Sequence, residues 1–92
     1  MLAVKALVEF IGTFIFLSVI LSSGQAIPIG LALAAVILFG GAISGGYFNP
    51  AVTTMFALRG DITVGVAVVY IVAQVLGGAA ALGFSRYAAN TI

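Results

Sequence analysis

Four apolar stretches run along this chain, and only three are long enough to cross a bilayer. Residues 3–22, 27–43 and 62–84 read as spans, because a crossing takes about 20 mostly apolar residues, within about 17–25. The fourth stretch, Ile43 to Arg59, is broken by Ser44, Gly45 and Gly46 and restarted by Asn49 and Pro50. Paired glycines interrupt a helix. Asn is a good N-cap, and Pro suits the first helical position. The segment from Ala51 to Leu58 predicts a helix of about 12 Å, under half of a hydrocarbon core of about 30 Å. It is too short to span and too apolar for water. A re-entrant loop over residues 44–59 is the expected solution: extended backbone goes in and a half-helix comes out. Irregular backbone at that depth persists only where it lines a wet cavity or is buried in protein.

Composition agrees. Of 92 residues, 64% are apolar and 5% charged, whereas a soluble domain carries about a quarter charged residues. The expectation is an all-α, multi-pass integral membrane protein in the lipid bilayer, forming a single unit over residues 1–92. Nothing in the sequence addresses a particular membrane. There is no cysteine and no histidine, and the only acids are Glu9 and Asp61. Hydrolytic, redox and metal chemistry therefore lack their usual parts, and no enzyme activity, metal or cofactor is expected. Lys5, Arg59 and Arg86 are scattered, so there is no basic patch for a nucleic acid.

The punctuation between spans has local explanations. Ser22-Ser23-Gly24-Gln25 is a polar break, and Pro28 falls in the first turn of the second span, where a missing N–H is harmless. Arg59 at the end of the half-helix suits the helix dipole. Gly60 reads as a C-terminal cap and Asp61 as the N-cap of the third span. This turn chemistry accounts for Arg59-Gly60-Asp61 better than an adhesion motif does. Lys5 and the apolar run after it have the look of a secretory leader, but Glu9 interrupts it. Gly40, Gly41, Gly65, Gly77 and Gly78 read as close-packing positions, and Phe10, Phe14 and Phe16 as packing or lipid-facing.

A helix N-terminus at mid-membrane carries unsatisfied N–H groups and about half a positive charge. Beside a water-filled lumen it repels cations. The Asn49 amide can cap the helix through its oxygen and present its N–H₂ to a water or alcohol oxygen. Gly45 and Gly46 let the backbone bend, so that carbonyls from Ser44 to Phe48 are expected to face the lumen. Rows of carbonyls replace hydration in this way in other channels. No part of the chain is built to couple energy, so transport would be passive.

Ser44-Gly45-Gly46-Tyr47-Phe48-Asn49-Pro50-Ala51-Val52-Thr53 resembles the first signature loop of the aquaporin and glycerol-facilitator superfamily. Glu9-Phe10-Ile11-Gly12-Thr13-Phe14 is similar to that family's first-helix motif, and Tyr70-Ile71-Val72-Ala73-Gln74-Val75-Leu76-Gly77-Gly78 to its third-helix motif. Order and spacing match from about Lys5 to Gly83. The resemblance implies three transmembrane helices plus one re-entrant half-helix, with Asn49, Pro50 and Ala51 at the pore centre. It implies that Glu9 and Gln74 hydrogen-bond the exposed loop backbone. The family's constriction positions fall on Ile29, Ile37, Gly46 and Val52, all apolar or small. A selectivity arginine is replaced by Val52, and Tyr47 stands where many relatives have histidine. A less polar, wider constriction passing water and small neutral solutes such as glycerol is expected.

Ordinary family members carry two such halves, inverted relative to each other; this sequence has one Asn-Pro-Ala. The implied repair is an antiparallel homodimer per pore, by analogy arranged as four dimers. Lys5 and Arg59 against Arg86 is a weak orientation bias under the positive-inside rule, so dual topology is expected. The alternatives are a different half-chain as partner, a non-conducting fragment or partner-binding subunit, and a dual-topology exporter using Glu9.

Overall fold

The computed structural model describes residues 1–91, and all the regular structure among them is helical. Helix α1 spans Leu2–Ser23, α2 Ala26–Ser44, α3 Pro50–Arg59 and α4 Val64–Thr91. Three of them, α1, α2 and α4, are long and apolar enough to cross a membrane. The body measures 44 × 23 × 20 Å, and its long axis exceeds a hydrocarbon core of about 30 Å.

Each of the first three helices ends where the sequence supplies an end. Gly24 takes the left-handed conformation (φ 66°) and its N–H closes α1 onto the Ile20 carbonyl. Gly45 (φ 97°) does the same for α2 against Gly41. Gly60 (φ 88°) closes α3. Glycine adopts such angles without steric cost.

The third span departs from expectation at both ends. It begins at Val64, not residue 62, because Thr63 is its cap: the Thr63 hydroxyl accepts the Val66 N–H at 3.1 Å. Asp61, the expected cap, is taken by Arg59, whose Nε donates to Asp61 Oδ2 at 2.9 Å. At the far end α4 runs to Thr91, about two turns beyond residue 84. No Gly or Pro lies between Phe84 and Thr91 to stop it.

Among the described residues, helix α1 lies between α2 and α4, which do not pack on each other, and α3 packs on α4. Glycines set the close approaches. A Cβ at Gly77 would sit 2.7 Å from the Phe10 carbonyl oxygen, and one at Gly78 2.8 Å from Leu17. Thus α4 touches the α1 backbone itself. Gly40 meets Val8 in the same way. Two of the expected packing glycines do not pack this tightly: Gly65 has only the neighbouring Thr63 side chain within reach, at 3.9 Å, and Gly41 only Ile37. Phe14 and Phe84 meet edge to face at 5.8 Å. The result is an open arc of three spans with a half-helix against one end of it.

Candidate functional site: a re-entrant loop on a buried carboxylate

The loop from Gly45 to Asn49 joins α2 to α3 and has no regular structure. Its backbone groups need partners in a region without water. Glu9, fully buried on α1, supplies them. Its Oε1 accepts the Phe48 N–H at 2.7 Å, and its Oε2 accepts the Tyr47 N–H at 3.2 Å. Oε2 also accepts the Ser44 hydroxyl at 2.6 Å, and Oε1 the Gln74 amide at 2.8 Å. Three of these four partners are N–H groups, which can only donate. A carboxylate, with two oxygens and about four lone-pair sites, is the side chain that satisfies such a set.

Gln74 acts differently from the implied role. Its Nε2 reaches Glu9 Oε1 and Thr53 Oγ1, each at 2.8 Å, rather than loop backbone. Thr53 in turn donates to the Asn49 carbonyl at 3.0 Å. Gln74 therefore ties the carboxylate to the first turn of α3. The Gln74 Oε1 atom and the Thr13 hydroxyl are buried without partners among the described residues.

Asn49 caps α3: its Oδ1 accepts the Ala51 N–H at 2.7 Å, and Pro50 occupies the first turn. The amide N–H₂ is left over, and Asn49, Pro50 and Ala51 are exposed. Asn49 and Pro50 border a cavity of about 520 Å³, which Thr13, Gln74 and Gly78 also line.

Tyr70, 3% exposed, donates its hydroxyl to the Ser44 carbonyl at 2.6 Å. That carbonyl, expected to face the lumen, is held within the protein.

Of the constriction positions, Gly46 and Ile37 are brought together: a Cβ at Gly46 would lie 3.6 Å from the Ile37 Cα. Ile29 sits eight residues earlier on the same helix, about 12 Å away along its axis. Val52 is half-buried in the first turn of α3. The four do not form one ring within a single chain.

Several side chains at the site escaped sequence reasoning. Ser44, Thr53 and Tyr70 complete the polar network; Tyr70 lies one turn before Gln74 on the same face of α4, and that spacing is the signal that could have flagged it. Phe48 is 1% exposed and holds φ 50°. Its ring lies where a Cβ on Gly12 would be, 2.1 Å from that position. Tyr47 stacks on Phe56 at 4.6 Å, and the Arg59 guanidinium lies over the Phe56 ring, 5.0 Å from its centroid. Hydrogen bonding to Asp61, and then its charge, pushes the Arg59 guanidinium further up.

A buried carboxylate holding a bent loop, joined to a capped half-helix against one end of an arc of three spans, defines an integral multi-pass membrane protein with a re-entrant half-repeat. The family profile described as major intrinsic protein matches residues 21–91. The chain belongs to that family. It is similar to glycerol uptake facilitator protein-like 6 of Lactiplantibacillus plantarum, 45% identical over 83 residues, covering 79% of this chain and 38% of the relative. It is also similar to aquaporin TIP2-1 of Arabidopsis thaliana, 47% identical over 58 residues (63% and 23%). The lens fiber major intrinsic protein of Gallus gallus is 40% identical over 60 residues (65% and 23%). The chain thus spans between about a quarter and two fifths of the length of these relatives. No solved structure matches it.

Proposed function

We propose that this chain forms half of a passive transmembrane channel for water and small neutral solutes such as glycerol, and that a second, inverted copy supplies the other half. The observation that carries this is the state of α3. Among the described helices it packs only on α4, and Ala51, Thr54, Met55 and Leu58 are exposed, as is the Asn49 tip. A half-helix ending in mid-membrane with an uncovered amide is costly against lipid. An in-plane two-fold axis covers that side and sets two half-helix N-termini around a common lumen, as inverted repeats do in other transporters.

The solute class rests on the lining. The Asn49 amide and the carbonyls after Ser44 offer hydrogen bonds to neutral hydroxylated molecules, and the half-helix N-termini repel cations. Ile29, Ile37, Gly46 and Val52 add no charge to the constriction. Because Ile29 stands about two turns of α2 from Ile37, an inverted copy would place its own Ile29 at the opposite mouth. The relatives named for glycerol uptake and as aquaporins support the same class. Association of four such dimers extends the analogy. No catalytic or cofactor role is part of this reading.

The purified chain, reconstituted in liposomes, is expected to speed osmotic swelling in water and in glycerol and to run as an even-numbered oligomer. No acceleration with either solute would overturn the reading. Activity gained only when a different inverted half-repeat is added would reassign the partner while keeping the half-pore.

A further inference from the structure

We infer that Phe48 plugs an opening in the side wall of the pore, at the α1–α2 seam between Gly12 and Gly40. This inference rests on the channel reading above.

On α2, Ala35, Phe39 and Ile43 share one flank, four residues apart, while Ile37 and Gly41 point about 180° away from Phe39 and toward the opposite flank. Gly46 of the loop touches the Ile37 and Gly41 backbones, so the loop lies on their flank. Ala35, Phe39 and Ile43 line a separate groove of about 350 Å³, together with Val8, Ile11 and Ile15 of α1. Every one of these side chains is apolar, and Phe39 is 81% exposed, as suits a surface against hydrocarbon.

Phe48 belongs to the loop, yet it borders this outer groove as well as the inner cavity beside Asn49. Its ring therefore passes between α1 and α2. Gly12 and Gly40 make the passage: a Cβ on Gly12 would fall 2.1 Å from the ring, and one on Gly40 3.1 Å. Gly12 has no side chain to take the place of the ring, and at Gly40 the nearest side-chain atom is Val8 Cγ1, 2.8 Å from a Cβ there. Phe48 reaches the seam only from a left-handed backbone (φ 50°), which a bulky side chain adopts at a cost. The cost is consistent with a fixed purpose: a wall between a wet lumen and the bilayer must be dry, and an aromatic ring seals it. Phe48 thus seals the lumen from the bilayer at this seam.

Cysteine accessibility tests this, since the chain has no cysteine of its own. A thiol reacts as the thiolate and so needs water. Ala35→Cys reports on the outer groove, and Val52→Cys on the lumen. With Phe48 present, a hydrophilic thiol reagent is expected to label Val52→Cys and leave Ala35→Cys unlabelled. Removing the ring with Phe48→Gly, which also suits φ 50°, is expected to raise Ala35→Cys labelling by about tenfold or more. Phe48→Leu, which refills the seam, should restore most of the protection. Equal Ala35→Cys labelling with Phe and Gly at position 48, in an oligomer of unchanged size, would overturn the plug. Should Phe48→Gly not assemble, Phe48→Ala, which also removes the ring, gives the second reading. Ala35→Cys labelling no higher there than with Phe48 would likewise overturn the plug. Failure to label Val52→Cys in any background would instead count against the wet lumen.

Discussion

Glu9 on the first helix accepts the backbone N–H of Phe48 at 2.7 Å, and so fixes the residue before Asn49 from 39 positions away. The half-helix is aimed by a carboxylate on another element, not by its own loop.

Glu9→Gln is expected to loosen that loop. The amide has one acceptor oxygen where the carboxylate had two, so at least one buried donor loses its acceptor, at about 1–3 kcal/mol each. Thermal unfolding in detergent should show the loss, with the larger share of the exchange protection lost at Tyr47 and Phe48. An unchanged unfolding temperature would contradict the network.

Tyr70→Phe should cost about 1–2 kcal/mol, because the Ser44 carbonyl is left buried without its donor. The ring stays against Tyr47, which it meets at 5.6 Å. Tyr70→Ala, which also removes the ring, should cost about 3–5 kcal/mol. Equal effects of the two would show that the hydroxyl alone matters.

The glycines should divide sharply. Gly77→Ala drives a Cβ against the Phe10 carbonyl oxygen at 2.7 Å, and overpacking of this kind costs about 1–3 kcal/mol. Gly30→Ala and Gly83→Ala meet nothing within 4 Å and should be neutral or gain up to about 1 kcal/mol of helix propensity. Detergent unfolding of the three single variants decides it.

Asn49→Asp should keep the helix cap, since a carboxylate accepts the Ala51 N–H as well as the amide does. It replaces the free N–H₂ by a negative oxygen at the place where the half-helix field repels cations. The variant is expected to assemble normally and to conduct protons or small cations, measured as current or pH-dye response in liposomes. A tight, non-conducting Asn49→Asp channel would show that exclusion lies elsewhere.

Much of this fold was legible because glycine, proline and asparagine punctuate it. Gly24, Gly45 and Gly60 end helices, and Asn49-Pro50 starts one, by purely local chemistry. What lay hidden depends on partners distant in sequence or on competition between neighbours. Asp61 and Thr63 are both residues of capping type two positions apart; Thr63 takes the cap, while Asp61 pairs with Arg59. Gly12 looks like any small residue in a span until Phe48 arrives from another element. The end of α4 was unreadable because Ser85 and Arg86 signal departure from hydrocarbon, not the end of a helix. Glu9 was legible as a buried acid, whereas Ser44 and Tyr70 were not, since a hydroxyl in a span has many local uses.

If inverted copies meet in one pore, the orientation of the chains in the membrane shows it most directly. A single cysteine in place of Ser23, at the α1–α2 turn, lies at one membrane face in a chain that otherwise has none. A membrane-impermeant thiol reagent applied to one side of intact cells should label about half of the chains under the antiparallel reading, and the rest only after the membrane is opened. Labelling of nearly all chains, or of nearly none, before opening would contradict it.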